Sequence, residues 1–402
     1  MSLDRFLLLV LFINLAWINV GFGQTGRSLE RDIHQSPFRD ITYIDYKELG
    51  SELDSILGHP IFIDAPTQFP DGFRTVEQKE GWLKNNIVKY PKVITQLPTS
   101  ESTSYSPFIQ LLKRGDQDAL TLRKEFPAAT DERLIGKNVH RFYAYQIHKA
   151  GFNAKKNVVV WAKEHADELN TSEFLLNFSD ILIAGLSGEL DKSAPVLANG
   201  IKKIFGSVNL IVLPDVTPDE DLGGYYTQDN NFFGVNLEPF DYDETSPAVW
   251  SVAPEAKFLK DVIDRTPGVV LGIDIHSPYD VSTIVVEDPS VTELARYVVA
   301  EGEFARNCSA ANSSKPVYQR EITCGKGLIE TDQQISQKTQ VSVSYLSRRK
   351  HAPGIFLEMG GSKFSSVAGV TKYNKSWDLR ENIPYLMRLM EIAAFSKNSN
   401  LK

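Results

Sequence analysis

Three short apolar runs in this chain end in residues that bind metal ions or move protons, and this shared feature limits the fold more than any other. The first run, Val158-Val159-Val160-Trp161-Ala162, reads as a buried strand and leads into His165 and Glu168, three residues apart. In the turn that leaves a strand, an imidazole and a carboxylate at this spacing can converge on one divalent cation. Zn²⁺ accepts nitrogen and oxygen donors of this kind at about 2.0–2.2 Å. The second run, Val269-Val270-Leu271-Gly272-Ile273-Asp274-Ile275, ends in His276, and the third, Ile355-Phe356-Leu357, ends in Glu358. Several strand ends that each deliver a ligand or an acid/base group predict a site along one edge of an α/β sheet.

The surrounding pattern supports a sheet with helices on its faces. Arg141–Ile147, Val158–Ala162, Val208–Leu213 and Val269–Ile275 read as strands, with helical segments at 172–178, 194–205, 254–264, 291–304 and 382–395 between and after them. Two further helical patterns, 76–84 and 107–113, precede them. The expected fold class is α/β, a mixed, mostly parallel twisted sheet flanked by helices. No internal repeat and no Gly-rich phosphate loop is present.

Three stretches divide the chain. Residues 1–23 carry Arg5, the apolar run Phe6 to Trp17 and small residues before Gln24, the pattern of a cleaved secretory signal peptide. That run is shorter than the roughly 20 residues that span a bilayer, and no later segment is long and apolar enough to do so. Residues 24–69 are polar and broken by Pro37, Pro60 and Pro66, and read as an N-terminal extension or short pro-segment. Residues 70–398 form the main domain. A secreted, extracellular protein is the expectation. The two cysteines, Cys308 and Cys324, most simply form one disulfide in an oxidising compartment, the alternative being two free buried thiols. Asn-x-Ser/Thr sequons start at Asn170, Asn177, Asn307, Asn312 and Asn374, and Asn170 is so close to Glu168 that its sequon is expected to be unused. A net charge of -8 and the lack of a basic patch argue against nucleic acid as a partner.

Taken in order, these residues resemble the zinc carboxypeptidase family of metallopeptidases over roughly residues 75 to 395. Gly136-Lys137-Asn138 with Arg141 is similar to the family's Gly-Lys-Ser-x-x-Gly-Arg turn, and His165-Ala166-Asp167-Glu168 to its His-x-x-Glu motif. Gly234-Val235-Asn236-Leu237 resembles its Gly-Val-Asp-Leu segment, Ile273 to Ser277 its third-ligand strand, and Phe356-Leu357-Glu358 its catalytic-glutamate strand. The resemblance implies a zinc-carboxypeptidase-like fold with one Zn²⁺ per chain, held by His165, Glu168 and His276, and Glu358 as the catalytic base. It implies a peptide or amide substrate. Asp274, on the same strand face as His276, is open to two roles, orienting a histidine or forming a buried salt bridge. Gly185-Leu186-Ser187-Gly188-Glu189 is a competing match to the zinc motif with its histidine lost.

Where the family clamps the substrate's terminal carboxylate with an arginine, this chain has Glu238 and Pro239, and no arginine occurs between Arg141 and Arg265. Asn236 stands where the family places an aspartate. Glu238 and Tyr345 are the substrate-binding candidates. Three functions follow. The first is a secreted zinc-dependent carboxypeptidase-like hydrolase with altered substrate anchoring. The second is an inactive relative that acts as a binding protein, and the third a zinc amidohydrolase of amides that are not C-terminal.

Overall fold

A computed structural model describes residues 38–41, 43–56, 73–98, 106–125, 141–152, 154–165, 168–218, 237, 242, 245–279, 283–286, 294, 298, 328–331, 342–360 and 375–396. Cys308, Cys324, Glu238, the signal segment and the sequons at Asn307, Asn312 and Asn374 lie outside them. In chain order the elements are α1 (Tyr46–Ile56), α2 (Val76–Lys89), β1 (Ile94–Gln96), α3 (Ser106–Lys113), α4 (Gln117–Glu125), β2 (Tyr145–Ile147) and β3 (Lys156–Ala162). They continue with α5 (Leu169–Ser187), α6 (Pro195–Ile204), β4 (Val208–Leu213), α7 (Pro247–Val252), α8 (Pro254–Arg265), β5 (Val269–Tyr279) and β6 (Thr283–Val286). The last are β7 (Leu328–Thr331), α9 (Ser342–Lys350), β8 (Gly354–Gly360) and α10 (Lys375–Phe395).

The strands form one 8-stranded sheet in the order β1-β2-β4-β3-β5-β8-β6-β7. Its centre, β4-β3-β5-β8, is parallel, and antiparallel pairs flank it at β1/β2, β2/β4 and β6/β8. The mixed, mostly parallel α/β sheet read from the sequence is the observed one. Side chains alternate across β3. Val158, Val160 and Ala162 enter one core layer, and Val159 and Trp161 enter the other. Helices α1, α5, α6 and α10 supply the first layer; α7, α8 and α9 contribute to the second. Both faces of the central strands are therefore covered, which is why these runs are continuously apolar.

Within the stretch read as an N-terminal extension or short pro-segment, Phe38, Ile44, Tyr46, Leu49, Leu53 and Ile56 are buried in the first layer. Glu391 in α10 accepts the amides of Tyr43 and Ile44 at 2.7 and 2.9 Å. Glu52 in turn accepts the amides of Val196 and Leu197 at 3.0 and 2.8 Å. A carboxylate thus meets two of the free N–H groups that open α6.

The topology also selects the place for a site. From β3 the chain passes to β4 on one side, then crosses back to β5 on the other. The strand order reverses between β3 and β5, and the crevice beyond their C-terminal ends is where open α/β sheets bind ligands.

Candidate metal centre

β3 ends at Ala162, and the next residue turns sharply. Lys163 has a φ of 62°, a left-handed conformation that costs a non-glycine residue on the order of 1–3 kcal/mol. Its surroundings hold it there. The Lys163 ammonium is fully buried, donates to the Thr217 carbonyl at 2.7 Å and lies 3.2 Å from Asp215 Oδ1. Lys79 of α2 reaches the other Asp215 oxygen at 2.6 Å. Burial would raise the Asp215 carboxyl, but the two lysines outweigh it and hold it below its usual value. The segment after β4 continues the pairing, with Val216 N bonded to Ala162 O and Thr217 N to Lys163 O. Lys163 is thus pinned from two sides, and the chain beyond it is directed over the crevice.

Glu164 points into the interior and His165 to the rim. Glu168 closes the turn, its amide donating to His165 O at 3.3 Å, and it precedes the first residue of α5. Thr171 donates its hydroxyl to Glu168 O at 2.7 Å, which ties the turn to the helix. His276 arrives from β5. Its Nδ1 lies 3.4 Å from His165 Nδ1 and 3.5 Å from Glu168 Oε2, while Glu168 Oε1 lies 3.2 Å from His165 Nδ1. The three side chains are 13%, 6% and 3% exposed for His165, Glu168 and His276, so the cluster opens to solvent on the His165 side.

These separations test whether the donors suit zinc. Ligands at about 2.0–2.1 Å in a tetrahedron stand roughly 3.4 Å apart. The two ring nitrogens stand 3.4 Å apart, which is that spacing, and Glu168 brings Oε1 within 3.2 Å of His165 and Oε2 within 3.5 Å of His276. The residue types and the geometry both fit the ion. Electrostatics point the same way. Burial alone would lower the His276 pKa, but Asp274 and Glu168 outweigh it and raise it well above the usual 6.5. Burial would raise the Glu168 carboxyl, yet His276 and His165 hold it low. The pocket therefore favours a cation, whether a proton or a metal ion.

Glu358 occupies β8 level with His276, its Cα paired with that residue across the parallel β5/β8 register. The register brings the three strand-end positions singled out in the sequence to one edge of the sheet. Tyr345 sits in α9, where its hydroxyl donates to Asp264 Oδ1 at 2.7 Å and its ring stacks on Tyr242. Asp274 is fully buried with Oδ1 3.2 Å from His276 Nε2, so of its two open roles the geometry matches the histidine-orienting one.

The competing motif lies elsewhere. Gly185 to Ser187 form the last turn of α5, and Gly188 is its left-handed C-cap with a φ of 89°. A Cβ at Gly185 would come within 2.6 Å of Ile201 in α6, so this glycine serves a close helix contact. Glu189 is exposed and accepts the Tyr90 hydroxyl at 2.6 Å. Asn170 and Asn177 are both buried in α5, at 1% and 2% exposure, which leaves neither amide accessible for glycosylation in the folded chain.

Sequence reasoning missed Glu164, Tyr242 and Ser342, which surround Asp274, and the Lys79–Asp215–Lys163 network. A signal existed for two of them: Lys163 and Glu164 are charged residues directly continuing an apolar strand.

No protein-family model and no curated protein matches the sequence. Solved structures share its fold. A metallo-carboxypeptidase from Burkholderia cenocepacia superposes with a TM-score of 0.51 at 15% identity, covering 81% of this chain and 71% of that one. Carboxypeptidase A from Helicoverpa armigera gives 0.52 at 14% identity, covering 87% and 81%. Thrombin activatable fibrinolysis inhibitor gives 0.52 at 13% identity, covering 86% and 79%. The chain has a metallo-carboxypeptidase-like fold.

Proposed function

We propose that this chain is a secreted zinc-dependent hydrolase of peptide or amide bonds whose substrate anchoring differs from that of ordinary carboxypeptidases. The observation that carries the reading is the convergence of His165 and Glu168, beyond the end of β3, on His276 of β5, with donor atoms 3.2–3.5 Å apart. A zinc ion held by these three would act as a Lewis acid and lower the pKa of a water. Glu358, whose Cα pairs with that of His276 on the neighbouring strand, would serve as the base for the attacking water and as the acid for the leaving amine. The cluster meets solvent only on the His165 side, where that side chain is 13% exposed, and a substrate would approach from there.

Substrate anchoring follows from residue types. Glu238 and Pro239 replace a cationic clamp, and a carboxylate at that place repels a terminal carboxylate. Losing a charged hydrogen bond costs about 1.5–3 kcal/mol, so amidated or cationic substrate ends suit the chain better than free acids. The missing arginines also favour a second reading, a carboxypeptidase-like binding protein that retains zinc.

One peptide series separates the readings, assayed as free acids and as amides with wild type, Glu358→Gln and the double variant Glu238→Asn/Pro239→Arg. The proposal expects amide cleavage by wild type and a loss of about 10²–10⁴ in Glu358→Gln with zinc retained. It expects a gain on free acids in the double variant. No cleavage of either series with zinc bound favours the binding protein, and a strong wild-type preference for free acids contradicts the anchoring argument.

A further inference from the structure

His276 has two faces, and the mechanism above uses only one. Its Nδ1 meets His165 and Glu168; its Nε2 lies 3.2 Å from Asp274 Oδ1 and 4.0 Å from Glu164 Oε2. Both carboxyl groups are fully buried. Nε2 and Asp274 Oδ1 are both buried, and neither makes a hydrogen bond of full geometry among the described residues, so their 3.2 Å approach is an ion-pair contact. The other Asp274 oxygen receives the Ser342 hydroxyl at 2.8 Å, and that hydroxyl also lies 3.4 Å from Glu164 Oε2. The remaining Glu164 oxygen receives the Tyr242 hydroxyl at 3.1 Å. Phe356 of β8 packs edge-on against the His276 ring, 5.4 Å between centroids.

We propose that Glu164 is a positioning residue: braced by Tyr242 and Ser342, it fixes Asp274, which holds the His276 ring with Nε2–H inward and the Nδ1 lone pair toward His165 and Glu168. This rests on the zinc reading of that cluster. The physical need is plain. A neutral imidazole offers one lone pair, and the proton on its other nitrogen decides which one. A carboxylate accepting the Nε2 proton selects the tautomer, stops the ring from turning and makes Nδ1 a stronger donor. Asp274 can do this only while its own carboxyl plane is fixed. Ser342 gives its one hydrogen to Asp274 Oδ2, and Glu164 Oε2 lies 3.4 Å from the same hydroxyl, so Glu164 reaches Asp274 through Ser342. The bracing arises from separate elements: the turn after β3, the start of α9 and the segment at Tyr242. It therefore also ties the rotation of His276 to the placement of the His165 turn.

The test is zinc affinity in the full chain, measured by competition with a chromogenic chelator, together with the visible spectrum of the cobalt(II)-loaded protein. Wild type, Asp274→Asn, Glu164→Ala, Glu164→Gln and Ser342→Ala are compared, with melting of each metal-free form recorded. Glu164→Ala and Asp274→Asn are expected to weaken zinc about 10–100-fold and to change the cobalt absorption bands. Glu164→Gln, which keeps hydrogen-bonding groups toward Tyr242 and Ser342, should restore affinity to within a few-fold. If Glu164→Ala fails to fold, Glu164→Gln and Ser342→Ala decide, with near-native and several-fold weakened affinity expected respectively. Wild-type affinity and spectrum in a folded Glu164→Ala overturn the proposal, as does a Glu164→Gln variant no better than Glu164→Ala. A second zinc per chain that disappears in Glu164→Ala also overturns it, because the inner carboxylates would then be ligands themselves. Wild type without zinc at micromolar concentration instead refutes the underlying metal reading.

Discussion

Replacing Asp215 by asparagine should destabilise the fold and loosen the turn that carries the candidate site. Lys79, Lys163 and Asp215 are all at most 2% exposed, with ammonium–carboxylate distances of 2.6 and 3.2 Å. The variant leaves two buried ammonium groups facing a neutral amide. Removing one partner of a buried ion pair costs about 3–5 kcal/mol, and here one carboxylate serves two cations, so this range is a lower bound. Against a total stability of about 5–15 kcal/mol the loss is large. At roughly 1.2 °C per kcal/mol for a chain of this size, the melting temperature should fall by roughly 4–6 °C or more. Calorimetry or circular dichroism measures it, and the triple variant Asp215→Asn/Lys79→Met/Lys163→Met should recover most of the loss, since apolar replacement of a buried ion cluster is often neutral. The pH dependence has a fixed sign. The folded Asp215 carboxyl is held below its unfolded value of 3.8, so its stabilisation is complete above that value and is lost as pH falls through the folded one. Wild type should therefore lose more stability on acidification below about pH 4 than Asp215→Asn does. A variant that melts within about 1 °C of wild type, the behaviour of a surface substitution, would refute this account of the turn.

Two further outcomes follow from the same geometry. Burial lowers the His276 pKa but Asp274 and Glu168 raise it by more, to well above 6.5, so below that pKa zinc has to displace a proton. Affinity should rise about tenfold per pH unit below the His276 pKa, with about one proton released on binding; titration calorimetry in buffers of different ionisation enthalpy reads both, and pH-independent affinity contradicts it. Glu52→Ala removes the carboxylate that opens α6 and should cost about 0.5–2 kcal/mol. An unchanged denaturation midpoint would show that these amides find equal partners in water.

The legible part of the chain is the part with strong local pattern. β4 matches its expected bounds residue for residue, and β3 and β5 differ only at their ends, because continuous apolar runs of strand length have few alternatives. Helix α5 runs from Leu169 to Ser187, well beyond the expected 172–178. It is buried along most of its length, so it lacks the polar face that reveals a helix. Helix α1 was missed although Tyr46, Leu49, Leu53 and Ile56 follow helical spacing, because the proline-broken polar stretch around it read as an extension. The strand expected from Arg141 shortens to Tyr145–Ile147, the residues that find partners in β1 and β4. At the site, ligand types and strand ends were readable locally. The bracing of His276 was not, because Glu164, Asp274, Ser342 and Tyr242 meet only through sheet register and a crossover connection.

The central claim is that His165, Glu168 and His276 bind one zinc ion. Metal analysis of the purified chain after dialysis against micromolar zinc tests it directly, beside His165→Ala and His276→Ala variants shown to be folded. The account predicts about one zinc per wild-type chain and stoichiometric loss in both variants, each of which keeps only two of three protein ligands. A wild-type chain free of zinc, or variants that retain it in full, would contradict the account.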